Sequence, residues 1–385
     1  MTGTGAPPAR PTWIEVDPAA VAHNVSVLRA HVAPAPLWAV VKADGYGHGA
    51  ATVARAALDA GAEGLAVALV EEAEELRAAG IDAPVMLLSE PPPGGADRLV
   101  AAAVEPTAYS IEVVDAVADA VTAAGRGPWP VHLKVDTGMH RVGATPEVAV
   151  RVGRAVADHP DLRLASVWTH LAVADEPASD FTAEQLRRFD AACAELAAAG
   201  VEVPLRHAAN SAGAIAHPAA RLDRVRAGIA VYGIAPSPEL AGLVDLRPAL
   251  RLVSRVSHVK TVAAGGAISY GQRYQVTRDT TVATVPVGYA DGVRRSLAAA
   301  GAEVLIGGRR LPIAGTVTMD QITVDCGPDA PVARGDEVVL LGRQGDEEVT
   351  AEEWAGLLGT IGYEVTCGLG RRVPRVVVAD RPGWP

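Results

Sequence analysis

Lys42 closes an apolar run, Leu37-Trp38-Ala39-Val40-Val41, and opens a glycine-rich turn, Ala43-Asp44-Gly45-Tyr46-Gly47-His48-Gly49. A short apolar run followed by glycines reads as a buried strand that ends in a tight loop. A lysine at that junction leaves the sheet where the backbone turns outward, and its amine points into the cleft above. Desolvated there, a lysine loses its proton readily and becomes a Schiff-base nucleophile. An isolated lysine is more often a solvated cap on a strand end. What sets Lys42 apart is that other apolar runs end in the same way. They lead into Lys134-Val135-Asp136-Thr137-Gly138-Met139-His140-Arg141, Trp168-Thr169-His170, Asn210-Ser211-Ala212-Gly213 and Arg226-Ala227-Gly228-Ile229. Amine, guanidinium, imidazole and hydroxyl thus collect where strands end.

The elements that must position these groups alternate along the first part of the chain. Asp17 is an N-cap candidate, with Pro18 at the first turn of a helix reaching Val32. Short apolar runs follow at 37–41, 64–68, 85–88, 104–109, 131–135, 164–168, 205–208 and 224–227, with helical stretches such as 70–79, 146–157 and 183–199 between them. Eight strands alternating with helices predict a (β/α)8 barrel, an α/β fold whose chemistry gathers at the C-terminal ends of the strands. The loops after the last two strands then predict a phosphate site, with Ser211 opening a short helix and Gly228-Ile229 offering backbone N–H groups. Beyond residue 244 the pattern turns β-rich, with runs at 252–262, 280–285, 303–306, 321–324 and 337–341 and a helix at 351–358. The expected organisation is a flexible tail over 1–11, a barrel over 12–244 and a mostly antiparallel β domain over 245–385.

Bulk composition limits the function classes. The chain has 385 residues, 49% hydrophobic and 21% charged, which suffices for two packed domains. A net charge of -11 argues against non-specific binding to nucleic acid or anionic membranes. The three cysteines, Cys193, Cys326 and Cys367, are odd in number and widely spaced, as in a reduced cytoplasmic protein. No Cys or His pair has zinc-ligand spacing, the N-terminus lacks the apolar core of a signal peptide, and no stretch has the ~20 apolar residues of a membrane span. One competing motif is Gly45-Tyr46-Gly47-His48-Gly49-Ala50, which fits the dinucleotide fingerprint after a strand, with Glu71 or Glu72 as the ribose acid. That reading, a nicotinamide-dependent oxidoreductase, leaves Lys42 and the later strand ends without a role.

Taken together the segments resemble alanine racemase, a pyridoxal 5'-phosphate (PLP) enzyme of the barrel-fold type. The resemblance is carried by Val41 to Gly49, Lys134 to Met139 with Arg141, Asn210-Ser211-Ala212 and Arg226 to Gly233. It continues through Ser269-Tyr270-Gly271, Val287 to Gly292, Met319-Asp320-Gln321 and Tyr363-Glu364-Val365. It covers the chain from about Thr12 to Arg375. It implies an isomerase that interconverts L- and D-alanine and supplies D-alanine for peptidoglycan. It also implies a homodimer in which each active site is shared.

The roles implied are these. Lys42 carries PLP covalently and is one base. Tyr270, from the partner subunit, is the opposing base. Arg141 contacts the phenolic oxygen of the cofactor and the substrate carboxylate. Arg226 faces the pyridine nitrogen, and His170 lies against the ring. Tyr46, Ser211, Gly228, Ile229 and Tyr363 hold the phosphate, and the backbone of Met319 contacts substrate across the dimer. Tyr289 and Arg294 line the access passage. Lys134 is either carbamylated, giving an anion that orients Arg141, or paired with Asp136.

The chemistry agrees with these roles. Racemisation removes the Cα proton and returns it to the other face, so two bases on opposite sides avoid turning the substrate over. Free amines and phenols have pKa values of roughly 10, so a site built on them needs desolvation or neighbouring charge. An arginine that keeps its proton leaves the pyridine nitrogen unprotonated, a weaker electron sink that suppresses side reactions. A tyrosine in a β domain is ordinarily half-buried with a wet hydroxyl; Ser269 and Gly271 beside Tyr270 point to an exposed loop instead. Three positions depart from the family: His140, where a small or amide residue is common; Thr318, where cysteine is frequent; and Val173, in place of a small polar residue. Alternatives within the fold are a PLP-dependent amino-acid decarboxylase or a broader-specificity racemase. A non-catalytic PLP-binding protein would be a single barrel, without the β domain.

Overall fold

The computed structural model describes residues 10–378, so most of the tail expected over 1–11 lies outside the described residues. The chain divides into two compact units. One comprises Val21–Gly45 and Ala50–Leu246, and it contains the barrel. After β1 (Thr12–Val16), its strands are β2 (Leu37–Val40), β3 (Gly64–Val67), β4 (Val85–Leu87), β5 (Thr107–Ala108), β6 (Trp129–Lys134), β7 (Leu162–Trp168), β8 (Arg206–His207) and β9 (Val225–Ala227). They form two parallel four-stranded sheets, ordered β4-β3-β2-β9 and β5-β6-β7-β8. Both seams between the sheets are bridged. Glu105, just before β5, pairs with Met86 of β4, and the Arg226 N–H on β9 donates to the Ala209 carbonyl beyond β8 at 3.0 Å. The eight strands therefore close into one ring, as their alternation with helices predicts.

The strands are short and apolar because both faces are covered; every residue of β2, β3 and β4 is buried. The helices outside bury one stripe. In Pro146–Asp158 that stripe is Ala149, Val152, Gly153 and Val156, at helical spacing. Thr145 caps this helix, its side chain accepting the Val148 N–H, and Pro146 fills the first turn. Burying each valine or leucine of such a stripe contributes about 1.5–3 kcal/mol. A parallel ring sends every strand's C-terminal end to the same face. Lys42, Lys134, His170, Ser211 and Gly228 all follow or end strands there.

The other unit contains the described residues before Val21, Tyr46–Gly49, and the described residues from Arg247 onward. Its strands are β10 (Leu250–Arg255), β11 (His258–Val262), β12 (Ala267–Ile268), β13 (Tyr274–Gln275), β14 (Thr280–Val285), β15 (Glu303–Ile306), β16 (Arg309–Pro312), β17 (Ile322–Gly327), β18 (Glu337–Gln344), β19 (Glu347–Val349) and β20 (Arg375–Val377). Pairing is antiparallel throughout, except for β1 with β20. The expected partition gave residues 12–20 to the barrel, whereas β1 lies in this sheet, antiparallel to β10 with Ile14 opposite Leu252. The composition of Thr12–Val16 is compatible with a strand, but nothing in it specifies the sheet that receives it. Ile14 and Val16 are fully buried in a core with Leu252, Val285, Val304 and Trp354. Between them Glu15 is buried against Arg251, with Oε2 2.6 Å from Nη1. Among the described residues no helix is long and apolar enough to cross a membrane.

Candidate active site

The turn after β2 is left-handed. Ala43, Asp44, Gly45 and Tyr46 have φ of 53°, 53°, 60° and 50°. A run of left-handed residues costs roughly 1–2 kcal/mol at each non-glycine position, so it persists only where the surroundings over-determine it. Here Glu72 accepts the Ala43 N–H at 2.6 Å, and the Gly45 N–H donates to the Val41 carbonyl at 2.9 Å. Asp44 Oδ1 accepts the Ala50 N–H at 3.0 Å, capping the helix Ala50–Asp59. The same bonds dispose of the dinucleotide reading. Glu72 is occupied by the N–H groups of Ala43, Ala68 and Leu69, and Glu71 is paired with Arg98. Neither carboxylate is left for a ribose.

On the strand-end face of the barrel, four cations converge on one imidazole. Burial and the charges of Arg226, Lys134, Arg141 and Lys42 hold His170 well below the ordinary histidine range, so it is neutral. Burial, Arg226 and Arg141 bring Lys134 down to about 7. No described carboxylate lies within ion-pair distance of Lys134 or Arg226. Asp136 instead pairs with His140 at 3.1 Å and accepts the N–H groups of Gly138 and His140. Of the two alternatives for Lys134, the Asp136 pair is not formed. Trp168 supports both cations: Lys134 Nζ lies 4.3 Å and Arg226 Cζ 4.5 Å from its ring centre. Arg141 is exposed and has no ion-pair partner among the described residues.

Arg226 is almost fully buried. Its Nη2 donates to the carbonyls of Thr169 at 2.8 Å and Ala208 at 3.0 Å, and its Nη1 meets His207 Nδ1 at 2.5 Å. Burial lowers its pKa to about 9, still above neutrality, so the guanidinium keeps its proton. Ser211 Oγ accepts the N–H of Gly228 at 2.8 Å and of Ala230 at 3.3 Å. The Gly228 N–H is therefore engaged by Ser211 and is not free for a phosphate. Gln185, from the helix Phe181–Ala198, fixes the His170 loop; its amide donates to Thr137 Oγ1 and the His170 carbonyl, both at 3.1 Å.

The second unit holds the remaining predicted residues. Tyr46 and Tyr363 face each other with ring centres 6.0 Å apart. Gly47 sits where a Cβ would lie 2.3 Å from the Thr366 carbonyl, which ties that turn to the helix carrying Tyr363. Tyr270 is 72% exposed on a turn pinned by two bonds to Thr316: Ser269 Oγ donates to the Thr316 carbonyl and Thr316 Oγ1 to the Tyr270 carbonyl. Tyr274 shows the ordinary alternative. Its hydroxyl donates to Asp325 at 2.7 Å, and burial with that carboxylate pushes its pKa up to about 12. Tyr270, Met319, Tyr289 and Arg295 line one concavity of about 510 Å³. Arg294, expected with Tyr289 to line the access passage, pairs with Glu364 at 3.3 Å. Gly288 allows the Met319 turn to approach, since a Cβ there would meet the Thr318 carbonyl at 2.3 Å.

The family described as alanine racemase, N-terminal domain, matches residues 16–236, and that described as alanine racemase, C-terminal domain, matches residues 249–377. The chain belongs to the alanine racemase family. The alanine racemase of Symbiobacterium thermophilum is 51% identical over 370 residues, covering 95% of this chain and 97% of that protein. The solved alanine racemase of Streptomyces lavendulae superposes with a TM-score of 0.91 at 42% identity, over 97% of this chain and 98% of the other. That of Bacillus anthracis, solved with bound L-Ala-P, gives 0.90 at 38% identity over 97% of each. The activity of this alanine racemase family member is thus that of an isomerase acting on the two enantiomers of alanine.

Sequence reasoning placed Trp168 at a strand end without giving it a role, and it missed Gln185 and His207 as parts of the site. All three act through contacts across strands or from a helix, and no local signal marks them. His140 has φ of 56°, a left-handed position that suits the smaller residues common there. Its pairing with Asp136 offsets that conformation. Thr318 closes its turn by donating to the Gln321 carbonyl at 2.8 Å. Among the described residues no group of three or more His, Cys, Asp or Glu could hold a metal.

Proposed function

We propose that this chain racemises alanine with PLP bound through Lys42, using Lys42 and Tyr270 of a partner subunit as opposing bases. The observation that carries the reading is the convergence of Lys42, Lys134, Arg141 and Arg226 on His170 at the strand-end face of the barrel. The donor set also fits the cofactor. Among the described residues Arg226 is a buried cation with no carboxylate within ion-pair distance, and a neutral ring nitrogen suits it as an acceptor. Ser211 and the Ile229 N–H suit a phosphate, with Tyr46 and Tyr363 as its further contacts. When bound, PLP withdraws the electrons released as the Cα proton leaves.

The residues do the rest. Arg141 binds the substrate carboxylate. Lys42 Nζ takes or returns the proton on one face of Cα, and the Tyr270 hydroxyl does so on the other. Neutral His170 lies against the ring without adding charge, and Arg226 keeps its own proton. Lys134, with a pKa of about 7, presents a share of neutral amine at pH 7 and is suited to adding CO2: its nitrogen bonds the carbon as one C–O π bond opens, a proton leaves the nitrogen, and the resulting anion orients Arg141. A homodimer places Tyr270 and Met319, both exposed in the single chain, against the partner's barrel face. The role in the cell is to supply D-alanine for peptidoglycan in the cytoplasm.

The test is to incubate the purified protein with L-alanine in deuterated water. Deuterium at Cα together with the D-enantiomer is expected, and Lys42→Ala should abolish both. Conversion without exchange, or a protein that takes up no PLP, would overturn the reading.

A further inference from the structure

Arg226 is tied into a line of polar side chains that the scheme above does not use. Its Nη1 meets His207 Nδ1 at 2.5 Å. His207 Nε2 lies 2.8 Å from Ser166 Oγ. Ser166 Oγ lies 2.6 Å from His132 Nδ1, and His132 Nε2 lies 2.7 Å from Glu105 Oε2. The line crosses the barrel one strand at a time, from β9 through β8, β7 and β6 to the residue bridging β4 and β5. Register makes it possible, since His132 is paired with Ser166 across β6 and β7, and His207 pairs with Trp168 across β7 and β8.

The direction of every bond is forced from both ends. An arginine only donates, so His207 Nδ1 accepts, and Nε2 must carry the ring proton and donate to Ser166 Oγ. An ionised carboxylate only accepts, so His132 Nε2 donates to Glu105, and Nδ1 must accept from the Ser166 hydroxyl. These independent deductions meet at one serine that accepts once and donates once. Ser166 and His207 are fully buried, His132 nearly so, and the Glu105 side chain is 21% exposed.

We infer that Glu105, His132, Ser166 and His207 are positioning residues for Arg226, forming a one-directional relay from the guanidinium to a remote carboxylate. The relay fixes the orientation of Arg226 and supplies the counter-charge that no neighbouring carboxylate provides. Chained hydrogen bonds polarise one another in a low-dielectric interior, and a buried cation is costly without such compensation. Three other cations face this end of the line: Arg224 and Arg163 act on His132, Arg77 and Arg224 act on Glu105, and Arg224 also acts on His207. A Glu105 that reached His207 only through Arg224 would still reach it without the Ser166 hydroxyl, so Ser166→Ala separates the relay from that route. The inference rests on Arg226 facing the cofactor ring, and the test separates the two ideas.

The experiment is histidine 15N NMR on the cofactor-free protein, which reports each ring's tautomer without any turnover. Both His132 and His207 should be neutral Nε2–H tautomers. Glu105→Gln keeps an acceptor but removes the charge. It should move the His207 resonances while leaving those of His217, outside the relay, in place. In the PLP-loaded protein it should lower kcat by roughly tenfold with KM for alanine unchanged, as loss of an outer partner does elsewhere. Glu105→Asp should restore part of both effects. Ser166→Ala, if it folds, should uncouple the rings so that Glu105→Gln no longer reaches His207. An Nδ1–H tautomer or a doubly protonated ring at either histidine would overturn the relay. So would a His207 spectrum unmoved by Glu105→Gln. Failure of the cofactor reading would look different, as no PLP uptake with both tautomers intact.

Discussion

Two tyrosines four residues apart separate chemistry from architecture. Tyr274 is anchored by its hydroxyl to Asp325, whereas Tyr270 stands in solvent on a turn held by its backbone. Tyr274→Phe should therefore cost about 1 kcal/mol of stability and leave turnover nearly intact, measured by denaturant unfolding beside a coupled assay. Tyr270→Phe should leave stability unchanged and cut Cα–deuterium exchange from one enantiomer far more than from the other. Equal loss in both would remove Tyr270 as a base. Lys134 makes a prediction about pH. Its pKa is about 7 in the folded chain. In the unfolded chain the value is roughly 10, so between these limits the unfolded state binds the extra proton. Stability from this residue is therefore full above about pH 10, falls as pH drops, and is lost by about pH 7. In CO2-free buffer, cofactor-free protein should gain stability relative to Lys134→Met across that range. Parallel curves would show that the amine is not desolvated.

At the level of elements, the left-handed turn from Ala43 to Tyr46 decides where Lys42 goes. Its supports are few and local. Asp44→Ala removes the acceptor for the Ala50 N–H and should cost about 1 kcal/mol, as cap deletions do. Gly47→Ala is harsher, because the new Cβ would be driven onto the Thr366 carbonyl. It should cost more than Asp44→Ala, on the order of 2–3 kcal/mol, and, if Tyr46 and Tyr363 act as proposed, should weaken PLP retention. Thermal unfolding and dialysis against PLP-free buffer measure the two effects. A Gly47→Ala protein as stable as wild type would mean that the Tyr46 turn relaxes freely. The turn was legible in the sequence as a glycine-rich loop. Its handedness was not, because Ala43 and Asp44 favour ordinary helical or extended backbone.

Across the whole molecule, the barrel stores its cations and imidazoles in one desolvated column. His132, His170 and His207 all have pKa values lowered by burial, His170 and His207 with the charge of Arg226 added. Each contributes stability that is complete above the unfolded value of about 6.5 and is lost as pH falls through its lower folded value. The unfolding free energy of the cofactor-free protein should thus drop on acidification from pH 7 to 5, by about 1.4 kcal/mol per pH unit for each histidine that only the unfolded chain protonates. His170→Asn should make the fall shallower, and a flat profile would show that these rings already carry protons in the native state.

The order of apolar runs and helices determined the barrel and the β-rich half, and the polar residues at the run ends pointed to the groups that gather on one face of the ring. Those signals are local, and a parallel ring leaves strand ends only one face to occupy. Sequence spacing could not decide which sheet receives β1, that Glu72 is consumed by backbone N–H groups, or that Asp136 turns to His140 and leaves Lys134 without a carboxylate. Nor could it align Glu105, His132, Ser166, His207 and Arg226, which span more than a hundred residues of chain. Strand register and side-chain packing set those partnerships, and both are fixed only when the barrel closes.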